Sequence, residues 1–249
     1  MTQPFGNLKN DFYLTAPAPC PYLPGQQERK IFSFLSGADA PQTNSDLTQR
    51  GFRRSQNIVY VPACDACKAC TPVRVEVEKY VASRSARRIT KRNAHVSRVV
   101  RAPKATATQF SVLRGYLDAR HAGGGMADMT VLDYTAMVEQ TAVDTMLIEY
   151  WADHDTDKAQ LLGCALSDRL QDGFSMVYSF FEPEAEKLSL GTYMIQDHIA
   201  FAAQLNLPYV YLGYWVQGSP KMDYKRNFEP LQKLTPAGWQ PFPSVRNGP

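Results

Sequence analysis

The sequence predicts an α/β (α+β) protein, with a small cysteine-bearing N-terminal module ahead of a larger C-terminal domain. Three observations carry this. Short runs alternate apolar and polar residues, an amphipathic segment lies between two such runs near the end, and a Pro- and Cys-rich start differs from everything after it. The expected division puts the module at residues 1–100 and the domain at 101–249.

Taken in order, Pro17, Pro19, Pro21 and Pro24 surround Cys20 and forbid regular helix there, so the first 30 residues read as a pinned loop. Asn57 to Pro62 reads as a strand, and Val73, Val75 and Val77 alternate with Arg74, Glu76 and Glu78 as a second. The cysteine turn lies between them. Ser83 to His95 has helix-forming composition, and Pro103 supports a boundary near residue 100. Ala105 to His121 and Val131 to Val143 read as helices separated by Gly123-Gly124-Gly125. Thr145 to Trp151, Leu161 to Leu166 and Phe174 to Phe181 are rich in β-branched, aromatic and aliphatic residues and are expected to share one sheet. Gly191 to Leu205 reads as a helix burying Ile195, Ile199 and Ala202, and Pro208 restarts a strand from Tyr209 to Val216. Strand–helix–strand order of this kind seats ligands near strand ends and the helix start.

Composition narrows the function. Length and apolar content suffice for a buried core. Met1 to Thr15 shows no signal-peptide pattern and no stretch is long and apolar enough to span a bilayer, so a cytoplasmic protein with no membrane partner is expected. The formal charge of +3 conceals an asymmetry: residues 79–117 hold ten Lys or Arg and no acid, while the remainder carries 17 cations against 24 acids. A solvated helix face would account for such a run, but surfaces ordinarily intersperse acids, and polyanion contact is the stronger reading.

Cys64, Cys67 and Cys70 stand two residues apart each, and Cys20 could supply a fourth thiol. Four thiolates suit zinc or an iron–sulfur cluster, and Lys68 would favour the thiolate form. A turn with incidental free thiols is the plainer alternative, since a lone CxxCxxC lacks the second half of a zinc ribbon. Cys164, inside a strand, reads as core. The histidines (His95, His121, His154, His198) show no ligand spacing and receive no role.

Several motifs then coincide in order. Cys20-Pro21-Tyr22-Leu23-Pro24-Gly25, Arg50-Gly51-Phe52-Arg53-Arg54-Ser55 and Cys70-Thr71-Pro72-Val73-Arg74 resemble the N-terminal region of arginyl-tRNA–protein transferases. Ser83 to Arg88, Ser189-Leu190-Gly191-Thr192, Tyr211-Leu212-Gly213-Tyr214 and Lys221-Met222-Asp223-Tyr224-Lys225 resemble successive motifs of that family's C-terminal region. Nearly the whole chain is covered, and the version is most similar to the short bacterial branch, the aspartate/glutamate leucyltransferases of the N-degron pathway. One departure stands out: eukaryotic members carry a CxxC and an adjacent cysteine pair, whereas Leu23 occupies the second position of the first motif here.

The resemblance implies an acetyltransferase-like (GNAT-like) C-terminal domain. It implies an enzyme that moves leucine from leucyl-tRNA to the N-terminal Asp or Glu of a protein, marking that protein for degradation. The family's metal or iron–sulfur chemistry would fall on Cys20, Cys64, Cys67 and Cys70. Because the donor ester is already activated, the transfer requires no ATP or organic cofactor. Two alternatives are arginine as the transferred residue and a coenzyme A-dependent N-acetyltransferase. The latter expects a glycine-rich helix start, and Ser189-Leu190-Gly191-Thr192 offers one glycine. A non-catalytic RNA-binding module would explain the basic run and leave the C-terminal motifs unexplained.

Candidate roles follow. Tyr178, Ser179 and Thr192 could supply hydroxyls near a developing oxyanion, although packing and helix capping explain such residues as well. Arg53 and Arg54 form the expected cation pair for the acidic acceptor, arginine being suited to planar carboxylates. Arg84, Arg87, Arg88, Lys91 and Arg92 are expected to meet tRNA phosphates, with Gly191 at the helix start positioning the terminal adenosine. Lys221, Tyr224 and Lys225 would steady the tRNA end, and Trp215 or Tyr214 could stack on its last base, although alternating aromatics on a strand are more often core.

Overall fold

The computed structural model describes residues 10–120 and 126–243. The Gly123-Gly124-Gly125 break and His121 lie outside the described residues. The N-terminal part runs β1 (Tyr13–Leu14), β2 (Ala18–Pro19), β3 (Gln27–Glu28), β4 (Lys30–Phe34), α1 (Ala40–Gln49), β5 (Arg53–Ser55) and β6 (Ile58–Pro62). Then come β7 (Cys70–Glu76), α2 (Arg84–Arg92), β8 (Val96–Arg101), α3 (Ala107–Arg120) and α4 (Val131–Glu139). The remainder is β9 (Thr145–Ala152), β10 (Gln160–Leu170), β11 (Gly173–Phe181), α5 (Leu190–Gln204), β12 (Tyr209–Val216), β13 (Leu231–Thr235) and β14 (Gly238–Pro241). Two 3₁₀ segments, Pro183–Leu188 and Pro220–Asn227, precede α5 and follow β12.

The mixed α/β architecture is the expected one. An eight-stranded sheet has the order β14-β13-β7-β12-β11-β10-β9-β8, and a four-stranded sheet the order β1-β4-β6-β5. The larger sheet is covered on both faces. On one, α5 buries Leu190, Met194, Ile195, Ile199 and Ala202 against Val73, Val75, Ile148 and Val210. On the other, Val112, Leu113 and Leu117 of α3 and Tyr134 and Val138 of α4 pack on Leu147, Leu166 and Phe180. Cys164 is fully buried there, as expected of a core residue. A third core lies between α1 and the small sheet, with Leu35, Leu47, Phe52 and Val59. Among the described residues no helix is long and apolar enough to cross a membrane.

The expected boundary near residue 100 does not separate the sheets. Strand β7 lies between β12 and β13, and β8 closes the far edge beside β9, so the large sheet draws strands from both sides of residue 100. The four-stranded sheet, with α1 packed on it, is drawn wholly from the N-terminal part and is tied to β10 through Arg54 and Asn44 on Asp168.

One irregularity positions the site. In the large sheet β11 and β12 are the parallel neighbours, and they pair over three positions only, Gly173 to Ser175 against Tyr209 to Tyr211. Beyond Ser175 and Tyr211 the strands part and leave a wedge with unpaired backbone groups.

Candidate active site

Arg53 of β5 fills that wedge. Its guanidinium donates to the carbonyl of Val177 at 2.9 Å and reaches that of Met176 at 3.4 Å, the oxygens β11 frees by leaving its neighbour. The space exists because residue 213 is glycine. The β12–β7 register slips between Tyr211 and Gly213, Gly213 has φ +72°, and a Cβ there would sit 2.5 Å from Arg53 Cζ. Tyr214 follows, donating its hydroxyl to the carbonyls of Gly51 (2.9 Å) and Tyr60 (3.1 Å), its ring 5.9 Å from the guanidinium carbon. Tyr22, Tyr60, Tyr214 and Tyr224 thus ring the cation.

Lys225 joins it from the 3₁₀ segment after β12. The residue is 4% exposed, and its ammonium donates to the carbonyl of Tyr214 at 2.5 Å. Burial first, and the charge of Arg53 second, hold its pKa well below the ordinary lysine value. Two cationic side chains from separate elements therefore crowd one pocket, and among the described residues neither is bonded to a carboxylate. Lys225, expected to meet tRNA, instead turns its ammonium into the pocket of Arg53, where it donates to the Tyr214 carbonyl. Lys221 and Tyr224 on the same segment remain exposed. Trp215 is occupied: it donates to Asp223 at 3.1 Å and its ring packs edge-on against Phe242 at 5.1 Å, with Arg226 near one face.

Arg54 requires a second correction. Its guanidinium is locked bidentately on Asp168, at 2.5 and 2.6 Å, and also donates to Thr145 Oγ1 and the carbonyl of Gln56. Only 3% of Arg54 is exposed, and its bidentate pair with Asp168 fastens the small sheet to β10 rather than facing the pocket of Arg53. Arg53 and Arg54 are adjacent in a strand and therefore point to opposite faces.

Around the start of α5, Gly191 packs so closely on Phe181 that a Cβ would lie 3.1 Å from the ring. Tyr116 meets Phe181 edge-on at 5.0 Å, with Arg120 5.4 Å from that ring. Tyr178 is near Tyr116, its hydroxyl buried with no hydrogen-bond partner among the described residues and its pKa raised, by burial first and then by Tyr116. Ser179 is the next residue along β11 and points to the other face. Thr192 lies in the first turn of α5, after Ser189, which takes a left-handed conformation (φ 54°) without side-chain capping. The three expected hydroxyls do not converge, and the orphaned one is Tyr178.

Helix α2 opens at Ser83, whose Oγ accepts from the amide of Ala86 at 3.1 Å. It presents Arg84, Arg87, Arg88, Lys91 and Arg92 to solvent. Arg92 donates to the carbonyl of Lys187 and Asn93 to that of Leu188, which sets the basic face beside the start of α5. Elsewhere in the basic run, Lys79, Arg98, Arg101 and Arg114 are paired with Glu76, Asp197, Glu149 and Asp118. The field for phosphate is thus narrower than the sequence suggested and centres on α2.

Cys20, Cys64, Cys67 and Cys70 line one cleft, together with Leu23, Tyr60 and Tyr214. Burial, reinforced by the other three cysteines, pushes the Cys70 thiol up to about 12. The donor chemistry fits a soft metal or a cluster, and four thiols from two segments share the cleft. Among the described residues, though, no three His, Cys, Asp or Glu side chains stand in ligating arrangement.

Gly213, Tyr22 and Tyr60 were not anticipated as site residues, and Tyr224 was expected at the tRNA end rather than beside Arg53. A glycine inside an otherwise apolar strand is the signal that could have found the first, since it marks a bulge or a close approach.

Comparison with known proteins gives the family. Residues 18–88 match the family model described as arginine-tRNA-protein transferase, N terminus, and residues 108–235 match that of its C terminus. Curated relatives described as aspartate/glutamate leucyltransferase include one from Nitrobacter winogradskyi, 56% identical over 92% of this chain and 90% of its own. Another, from Rhodopseudomonas palustris, is 57% identical over 92% of this chain and 91% of its own. A third, from Afipia carboxidovorans, is 54% identical over 96% and 95%. Among solved structures, L-PGS from Bacillus licheniformis is similar at a TM-score of 0.47 and 10% identity, over 82% of this chain and 68% of its own, too distant to bear on function. With both halves matched in order and relatives above 50% identity over nearly its whole length, the chain belongs to the arginine-tRNA-protein transferase family.

Proposed function

We infer that this chain transfers leucine from leucyl-tRNA to the N-terminal amine of proteins that begin with Asp or Glu. One observation carries the acceptor half: half-buried Arg53 and buried Lys225 share one pocket, and among the described residues neither is bonded to a carboxylate. Two cations in one desolvated pocket repel each other until an anion arrives, and an acidic side chain is that anion. Leucine as the transferred residue rests on the description of the relatives. The cations of α2 beside the α5 start supply the RNA half, holding phosphates while the 3′ end reaches the wedge.

The neutral α-amine of the acceptor attacks the leucyl ester carbon. A C–N bond forms, the ester C–O bond breaks, and the proton lost by the amine accompanies the departing ribose oxygen. The amine has a reference pKa of about 8, so a useful fraction is neutral near pH 7. Fixing its side-chain carboxylate on Arg53 and Lys225 removes much of the entropic barrier. Tyr178, with an unpartnered hydroxyl, is the favoured donor to the developing oxyanion, ahead of Ser179 and Thr192. Gly191, Lys221 and Tyr224 border the path of the tRNA end.

The four cysteines are a proposed zinc or iron–sulfur site. Such a group would brace the cleft wall beside Tyr214 and make no bond in the transfer. Anaerobic purification should yield near-stoichiometric zinc or iron, and its absence refutes the assignment.

The deciding experiment mixes purified protein with leucyl- or arginyl-tRNA and peptides beginning with Asp, Glu or Ala. Leucylated Asp and Glu peptides are expected. Transfer from arginyl-tRNA alone would reassign the donor, and acetylation from acetyl-CoA with no aminoacyl transfer would overturn the reading.

A further inference from the structure

The four-stranded sheet has one face in the core and one outside it. Ser33, Val59 and Arg54 are directly opposite one another on β4, β6 and β5, all three buried. The neighbouring row faces the other way. Tyr13 on β1 is opposite Phe32 on β4, Phe32 is opposite Tyr60 on β6, and Tyr60 is opposite Arg53 on β5. Residues paired across strands share a face, so an aromatic row crosses the entire sheet and ends on the cation of the wedge. Its outer end is open: Tyr13 is 47% exposed and Phe34, which touches both Tyr13 (6.0 Å) and Phe32 (5.7 Å), is 51% exposed. Tyr60 in turn meets Tyr214 at 6.4 Å.

We propose that this row is an extended subsite for the acceptor, which binds the unfolded segment behind the acidic N-terminus and favours aliphatic or aromatic residues there. The inference rests on the acceptor reading of Arg53. Three interstrand gaps of about 4.8 Å put Tyr13 about 14 Å from Arg53, a span that roughly four extended residues cover at about 3.3 Å each. The preferred positions are therefore the third to fifth of the acceptor. A peptide fits the row better than RNA because among the described residues the row offers no unpaired cation before Arg53: Lys30, above Tyr60, is paired with Glu28 at 2.7 Å. Nucleic acid stacked on aromatics requires cations for its phosphates. An N-terminus entering a pocket in which Lys225 is 4% exposed must also arrive extended, trailing its next residues over the adjoining surface.

The test measures kcat/KM with leucyl-tRNA for peptides beginning Asp-Ala, with Leu or Phe against Gly or Ser at positions three to five, and each series repeated with Asn first. The expected preference for Leu or Phe is about tenfold, the selectivity that one or two apolar contacts give. In Tyr13→Ser/Phe34→Ser, changed only at exposed positions, the ratio should fall toward one. A wild-type ratio near one overturns the subsite, and if Asp is still preferred over Asn the acceptor pocket stands without it. Loss of the Asp preference itself means the acceptor reading has failed instead. A double variant that weakens leucyl-tRNA while keeping the peptide ratio would assign the row to RNA. A wild-type ratio that rises only after residues 1–9 are removed would assign it to the chain's own start.

Discussion

Replacing Gly213 by alanine would set a methyl carbon 2.5 Å from Arg53 Cζ and Nη1 and 2.6 Å from Nε. Non-bonded carbon and nitrogen need about 3.5 Å or more, so the guanidinium must retreat by about 1 Å. Its 2.9 Å bond to the Val177 carbonyl would then stretch to about 3.9 Å and be lost. A hydrogen bond from a charged donor contributes about 1.5–3 kcal/mol, and alanine at φ +72° adds about 1–2 kcal/mol of backbone strain. The folded state should lose roughly 3–5 kcal/mol, measured by chemical denaturation. Misplacing the cation by about 1 Å should also lower kcat/KM for an Asp-starting peptide by about a hundredfold. The decisive assay is a double-mutant cycle with Arg53→Ser, which opens the space the methyl needs. In that background the alanine should cost only its backbone strain, about 1–2 kcal/mol. Equal penalties with and without Arg53 would refute the claim that Gly213 exists to admit the guanidinium.

Arg54→Met should destabilise the protein by about 3–5 kcal/mol, because Asp168 would stay buried without its cation; Asp168→Leu in the same chain should recover most of that loss. Lys225 has a folded-state pKa well below 10.5, so between those values the unfolded chain binds the extra proton and stability rises with pH. Wild type minus Lys225→Met, followed by denaturation across that window, should show this rise at up to about tenfold in the folding equilibrium per pH unit. A carboxylate arriving beside Lys225 reverses the shift, so binding an Asp peptide should take up protons, visible as a calorimetric enthalpy that depends on the buffer. Changing Arg84, Arg88 and Lys91 to Gln should flatten the salt dependence of leucyl-tRNA binding by about two units of slope, leaving the KM for peptide unchanged.

How much of this could be read from the chain follows from periodicity. The strands β9 to β12 and helix α5 announce themselves through apolar runs and a 3.6-residue stripe, and they lie within a few residues of their expected limits. Helix α1 hides because its inward face is largely polar. Asn44 donates to Asp168 and Ser45 accepts from the amide of Gln171, so burial there is by hydrogen bond and no apolar stripe forms. Strand β8 is submerged in the basic run. The place of β7 between β12 and β13 is a pairing across more than 130 residues, which no local pattern encodes. The candidate site was half legible. Arg53-Arg54 stood out by charge, but only the strand's two-residue period separates the cation in the wedge from its neighbour in the core. Lys225 looked like a surface lysine until the fold buried it.

The central claim is that the cations of the wedge, Arg53 and Lys225, read the acidic first residue, and the most direct measurement compares Asp- and Asn-starting peptides of otherwise identical sequence as acceptors from leucyl-tRNA. The two side chains match in shape and differ in charge. Wild-type protein should prefer Asp strongly, and Arg53→Gln should collapse that preference while leaving the affinity for leucyl-tRNA in place. A preference for Asp that survives Arg53→Gln undiminished would contradict the account.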